Sequence, residues 1–326
     1  MADLIAADLA SKTVKGLARR VAMTDATVLL CGSSGAGKEI YAKYIHSQSA
    51  RSDAPFVAVN CAAIPDNMLE AMLFGHEKGA FTGAVNSHSG KFEQAQSGTL
   101  LLDEVSEMDL GLQAKLLRVL QEREVERLGS RKTINLDVRV IATTNRDLKA
   151  AVKAGLFRED LFYRLNVFPL YVPRLAERPG DILPLAEYFL SRQPGVRHPD
   201  AMLSDGAKHK LCNYSWPGNV RELDNVIQRA MILRQDSILH EDDIQFEIGL
   251  SFMSAGALEH NDIDIDSSTA PADDVPLSGL IRDQERLVIN DALKRGKSKK
   301  EAAEILGISP RTLRYKMARL REHTAT

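Results

Sequence analysis

The sequence is poor in the features that would place a protein outside a cell or across a membrane. Cysteine occurs only at Cys31, Cys61 and Cys212 in 326 residues. An odd number of widely separated thiols forms neither a disulfide framework nor a metal-ligand cluster, so reduced thiols in a cytoplasm are expected. No apolar run approaches the roughly 20 residues of a membrane span, so no membrane partner is expected. The opening MADLIAADLASK lacks the basic start and long apolar stretch of a signal peptide. Charge of one sign is absent too. Lys plus Arg is 42 and Asp plus Glu is 44, a net charge of -2, which excludes a uniformly basic nucleic-acid coat protein. What is present is an ordinary globular balance, 44% apolar and 26% charged, enough to bury a core, in a chain long enough for two or three domains.

The neutral total hides an asymmetry. Residues 251–280 carry six acids and no Lys or Arg, whereas residues 281–326 carry 12 basic and 6 acidic side chains. The acidic stretch, with few large apolar residues, cannot bury enough surface to order itself. The spacing therefore predicts an acidic linker over 250–276 and a separate basic domain over 277–326. A solvated helical face is the other reading of a basic tail.

Ahead of the linker, apolar runs alternate with helical patterns. ATVLLCG (26–32), PFVAVN (55–60), GTLLLDE (98–104) and VRVIATTN (138–145) read as buried strands, and KEIYAKYIHSQS (38–49) and LGLQAKLLRVLQEREVERLG (110–129) as helices. Hydrophobic strands separated by helices imply βαβ units. The expected fold is α/β, a parallel sheet with helices on both faces, over residues 1–172. From Pro173 only helical patterns follow, DILPLAEYFLSRQ, LSDGAKHKLCNY and NVRELDNVIQRAMIL, which predicts an all-helical subdomain over 173–249.

The first strand ends in Gly32, Ser33, Ser34, Gly35, Ala36, Gly37, Lys38 and Glu39, which fits G-x-x-x-x-G-K between a strand and a helix. Glycines let backbone N–H groups converge on phosphate oxygens, and the helix N-terminus adds partial positive charge. Lys38 can reach the β- and γ-phosphates. Glu39 stands where Ser or Thr usually holds Mg²⁺, and its carboxylate could hold the ion directly or through water. An exposed Gly-rich turn is the plain alternative. A buried strand ending in acids should complete such a site. GTLLLDE supplies Asp103 to position Mg²⁺ and Glu104 to polarise the attacking water. Phosphate loop and acidic strand end together predict a P-loop NTPase that takes ATP and Mg²⁺.

One string goes further. GAFTGA, Gly79, Ala80, Phe81, Thr82, Gly83 and Ala84, lies within LFGHEKGAFTGA. Its glycines allow a tight mobile tip, and Phe81 and Thr82 offer an apolar and a hydrogen-bonding contact. By itself the string also reads as a structural turn. With this string the sequence resembles the bacterial enhancer-binding proteins, AAA+ activators of sigma-54 RNA polymerase, over about residues 10–245 and 277–322. The resemblance implies that GAFTGA tips a surface loop that engages sigma-54. It also implies roles for residues in four further strings. Asn60, in VNCAAIP, would pair with Glu104 and couple nucleotide state to that loop. Thr144 and Asn145, in ATTNRDL, would sense the γ-phosphate. Arg158 and Arg164, in FREDLFYRL, resemble arginine fingers that reach a neighbouring subunit's nucleotide, a task suited to an always-charged bidentate guanidinium. Arg221, in WPGNVREL, would contact nucleotide in cis from the helical lid.

The match has departures. Ser33 and Ala36 depart from the family's usual GESGTGKE, and Ala176 in LAERPGDI departs from its usual L-R-E-R. Backbone cradling survives the first two changes, and the third removes one arginine contact between domains or subunits. Little chain precedes the AAA+ core, so regulation by a sensor kinase through a receiver domain absent here, or control in trans, is expected. The opening segment and the residues leading into GAFTGA look most like the flagellar regulatory protein C type.

In the basic tail, SKKEAAEILGISPRTLRYKMARL (298–320) reads as helix-turn-helix. Ala302, Ala303 and Leu306 form an inner face, Gly307 a break, Ser309 an N-cap and Pro310 a first helical residue. Leu313, Met317 and Leu320 face the core. Arg311, Thr312 and Arg314 are then candidates for base edges, Lys316 and Arg319 for phosphates, with Tyr315 also on the outer face. The pattern resembles a Fis-type domain, with 277–296 supplying dimerising helices; a three-helix protein-interaction domain is the other reading. The resemblance implies a homo-oligomeric ring, hexamer or heptamer, bound to enhancer DNA and remodelling sigma-54 RNA polymerase with ATP. A nucleotide-binding DNA regulator that leaves polymerase alone is the alternative. A replication or chelatase motor would lack both GAFTGA and this tail.

Overall fold

The computed structural model describes residues 4–193, 202–234 and 236–246. The element order begins with α1 (Leu9–Ala22), β1 (Val28–Cys31), α2 (Lys38–Ser47), β2 (Phe56–Asn60), α3 (Asp66–Phe74), β3 (Gly75–His76) and β4 (His88–Ser89). It continues with α4 (Lys91–Gln94), β5 (Thr99–Asp103), α5 (Leu110–Glu122), β6 (Glu124–Glu126), β7 (Thr133–Asn135), β8 (Arg139–Thr144), α6 (Leu148–Lys153), α7 (Glu159–Leu165) and β9 (Phe168–Tyr171). Among the described residues α8 (Ile182–Ser191), α9 (Asp205–Asn213) and α10 (Asn219–Leu233) follow.

Five strands form one parallel sheet in the order β2-β5-β8-β1-β9. Leu100 and Leu102 of β5 pack with Leu29, Leu69 and Leu116 on one face, while Leu101 packs with Val28, Leu30, Tyr41 and Ile141 on the other. Alternate side chains of a strand point to opposite faces, so a strand apolar throughout needs a cover on each side. Full burial stabilises each such leucine by about 1.5–3 kcal/mol. The sequence reading did not include β9. Pro169 lies within it, and its place at the sheet edge suits a residue that cannot donate to a ladder. Arg139, buried at the start of β8, donates to the carbonyls of Val21 and Ala22 and so caps the C-terminus of α1.

The helix predicted over 110–129 ends early. Arg123 adopts a left-handed conformation with φ 56°, and the chain turns into a hairpin in which β6 pairs antiparallel with β7. Val125, buried at 2% exposure, anchors that hairpin. Periodicity alone did not separate Glu124–Glu126 from the preceding helix, because Val125 falls at helical spacing, i+8, from Leu117 as well.

The helices after residue 173 build a core of their own around Trp216, Leu223, Val226, Ile227 and Ile182. The linker over 250–276 and the tail over 277–326, with Arg311, Thr312, Arg314, Tyr315, Lys316 and Arg319, lie outside the described residues. No helix among the described residues is long and apolar enough to cross a membrane. Cys31, Cys61 and Cys212 are free.

Candidate functional site

The phosphate loop occupies the turn from β1 into α2. Gly32 passes so close to β9's end that a Cβ would lie 2.6 Å from Val172 O, and Gly37 has φ 98°, a conformation that glycine adopts without strain. Lys38 opens α2 and is buried at 6% exposure. Its ammonium donates to Gly32 O at 2.9 Å and Ser33 O at 3.3 Å, and lies 3.5 Å from Glu104 Oε1. A buried ammonium needs such partners.

The acids come from the end of the neighbouring strand. Asp103 closes β5, and its Oδ1 accepts from the Thr143 hydroxyl. Glu104 follows with φ 55°. Its N–H donates to Thr143 Oγ1 at 3.0 Å, and its Oε2 accepts from Asn145 N at 3.1 Å. Beside them, burial pushes the Cys61 thiol up to about 12, with the Asp103 and Glu104 charges adding to the effect, which keeps it an uncharged packing group.

From the helical side, Arg221 Nη1 donates to Ser34 Oγ at 3.1 Å. The groups meet around one cavity of about 420 Å³, whose walls include Ser34 to Ile40, Asp103, Glu104 and Arg221, with Leu4, Ile5, Tyr188 and Phe189 forming an apolar part.

Several expected residues behave differently. Thr144 is buried, and its hydroxyl bonds to Ser106 Oγ and Arg146 O. Strand alternation puts Thr143, not Thr144, on the side of the acids, and Asn145, just past the end of β8, reaches Glu104 through its backbone N–H. The sequence reading missed Thr143, which the period of two could have supplied. The implied Asn60–Glu104 pairing is not made in this structure. Asn60, opposite Asp103 in the sheet register, accepts from Ala62 N with its Oδ1, and the left-handed Glu104 is drawn to the Lys38 ammonium instead. The Glu39 carboxylate is ion-paired with Lys43 at 2.7 Å, both half-exposed. Arg158, at the N-cap of α7, and Arg164, within it, are exposed and line no part of the cavity. The first pairs with Asp160 at 2.7 Å and the second donates to Leu120 O at 2.6 Å.

Gly79 to Ala84 form a compact turn at the surface. Gly79 N–H donates to Ala84 O at 2.9 Å, and Gly79 and Gly83 have φ 84° and 102°. Phe81 is 46% exposed, with its ring edge-on to His76 at 5.0 Å, and Thr82 is exposed. The turn rises from β3 and β4. Arg127 braces that stem, reaching Glu77 at 3.1 Å and Glu93 at 2.6 Å. Its guanidinium holds the Glu93 carboxyl below the usual carboxylate range.

A parallel sheet of this order, a phosphate loop with a buried lysine, an acidic strand end and a helical lid define a P-loop AAA+ protein. Comparison with known proteins carries this further. The family model described as Sigma-54 interaction domain matches residues 4–171, AAA+ ATPase lid domain matches 176–255, and Bacterial regulatory protein, Fis family, matches 280–320. The chain is 55% identical to Response regulator protein FleR of Pseudomonas aeruginosa, over 98% of this chain and 70% of that protein. It is 45% identical to Transcriptional regulatory protein FlbD of Caulobacter vibrioides, over 96% and 69%. The crystal structure of NtrX from Brucella abortus in complex with ATP aligns with TM-score 0.69 and 34% identity, over 98% of this chain and 69% of that one. The chain belongs to the sigma-54-dependent transcriptional activators, an ATPase family.

Proposed function

We propose that this chain binds and hydrolyses ATP in a homo-oligomeric ring, hexamer or heptamer, and uses the cycle to move its GAFTGA loop against sigma-54 RNA polymerase while its tail holds enhancer DNA. The observation that carries the reading is the convergence of Lys38, Asp103, Glu104 and Arg221 on one cavity, with the Asn145 N–H holding Glu104, in a chain that also presents Phe81 and Thr82 at its surface.

In this reading Lys38 and the loop N–H groups hold the phosphates, and Glu104 orients the attacking water. Asn145, whose N–H already holds Glu104, reports on the γ-phosphate. Arg158 and Arg164 complete a neighbour's site. The donor set fits Mg²⁺, which takes one or two carboxylates plus substrate phosphates rather than an all-protein cage. Asp103 faces the cavity, and no cluster of three metal-ligating side chains occurs among the described residues. Asp103 would hold the ion, which supplies charge neutralisation at the phosphates. Glu39 is a weaker donor, given its pair with Lys43.

The division into 1–172, 173–249, 250–276 and 277–326 belongs to the same proposal. So do a cytoplasmic location, control by a sensor kinase through a receiver domain, and flagellar genes as targets, this last on the resemblance of the opening segment and of the residues before GAFTGA.

The test is nucleotide binding, ATP hydrolysis and sigma-54 complex formation in the presence of a transition-state analogue. Lys38→Ala is expected to lose nucleotide binding by about a hundredfold or more. Thr82→Ala is expected to hydrolyse ATP normally yet fail to capture sigma-54. Native-like affinity in the first variant, or native-like capture in the second, would refute the corresponding part of the proposal.

A further inference from the structure

The carbonyl side of the phosphate loop is held by the helical part of the chain. Asn219 Nδ2 donates to Ser34 O at 3.0 Å, Val220 N–H to Gly35 O at 3.0 Å, and Arg178 Nη2 to Ala36 O at 2.6 Å. In a planar trans peptide the C=O and the following N–H point to opposite sides. Each carbonyl turned toward the helices therefore turns the next N–H, of Gly35, Ala36 or Gly37, away from them. The Ala36 N–H closes a turn on Ser33 O at 3.2 Å. The fit is close: a Cβ on Gly35 would lie 2.4 Å from Gly218 O.

Asn219 sits at the centre of this contact. It is 1% exposed, and both ends of its amide are committed. Oδ1 accepts from Leu175 N at 2.9 Å while Nδ2 serves Ser34 O, an orientation dictated by which atom can donate. Its φ of 54° favours Asn, Asp or Gly over other residues.

We propose that Asn219 is a positioning residue for phosphate binding, acting through the Ser34–Gly35 peptide to set the direction of the loop's N–H groups. By linkage, phosphate held by the loop tightens the docking of the helical part in return. The proposal rests on the ATP reading above and adds a residue and a coupling that it did not contain.

Asn219→Asp is the informative change. It keeps the shape, the left-handed preference and the acceptor for Leu175 N–H, and replaces the donor to Ser34 O and Pro217 O by a carboxylate oxygen, so the uncharged Asn219→Gly is measured beside it to separate loss of the donor from charge near the phosphates. Affinities for ADP and for adenosine, which lacks phosphate, are measured by calorimetry or competition, with thermal melting alongside. The expected result is ADP affinity weakened about tenfold, about 1.4 kcal/mol, with adenosine affinity unchanged. Equal loss for both ligands means a merely structural role and overturns the proposal, as does unchanged ADP affinity. Asn219→Gly, which keeps the backbone freedom and adds no charge, is read by the same two ligands and is expected to show the same selective loss for ADP; a loss confined to Asn219→Asp overturns the proposal. A native chain that does not bind ADP would instead defeat the nucleotide reading, and this inference with it.

Discussion

Thr143 and Thr144 are neighbours on one strand with opposite surroundings. The Thr143 hydroxyl donates to Asp103 Oδ1 and accepts from Glu104 N, whereas that of Thr144 faces Ser106 and Arg146. Thr143 thereby fixes the geometry of both acids. Thr143→Val keeps the shape and deletes the hydroxyl, leaving a part-buried N–H and carboxylate oxygen short of a partner. We expect stability to fall by about 1–2 kcal/mol and kcat for ATP to drop about tenfold with little change in KM. Steady-state kinetics and thermal melting check both, and Thr144→Val serves as the comparison, with kcat close to native.

At the scale of elements, the decisive unit is the stem of the surface loop. β3 and β4 each span two residues, too short a ladder to hold a loop rigidly by itself. Arg127, between β6 and β7, supplies the missing brace through Glu77 and Glu93. The Glu93 carboxyl is held below its ordinary value of 4.5, first by the Arg127 hydrogen bond and also by Gly90 N–H. The unfolded chain therefore takes up the proton first as pH falls. The contribution of Glu93 to stability is complete above the ordinary value and is lost as pH drops through the lower folded one. Glu93→Gln is expected to cost about 1 kcal/mol near neutral pH, and to lessen the fall in melting temperature between about pH 5 and pH 3. An identical pH profile in the two proteins would remove the brace.

At the scale of the molecule, the side chains of Arg158, at the N-cap of α7, and Arg164, within it, stand outside the cavity and among the described residues are held by Asp160 and the Leu120 carbonyl. Such contacts are weak enough to exchange for phosphate at a subunit boundary. If Arg158 acts in trans, inactive Arg158→Ala subunits mixed with inactive Glu104→Gln subunits should regain hydrolysis. Random mixing in a ring gives about one interface in four with both an intact site and an intact arginine. Activity no higher than the sum of the separate variants would assign Arg158 to its own subunit.

Much of this protein was legible before folding. Unbroken apolar runs separated by helical patterns specify a sheet covered on both faces. G-x-x-x-x-G-K and the acidic strand end specify phosphate chemistry, and GAFTGA an exposed turn, because each depends on residues adjacent along the chain. Tertiary structure decided what depends on residues far apart. The distance between Lys38 and Glu104, the choice of Thr143 over Thr144, the break of α5 at Arg123 and the grip of Asn219 and Arg178 on the phosphate loop all follow from packing. A hydrogen bond spanning 185 residues, such as that from Asn219 to Ser34, leaves no periodic trace in sequence, since only the closed fold brings donor and acceptor within 3.0 Å.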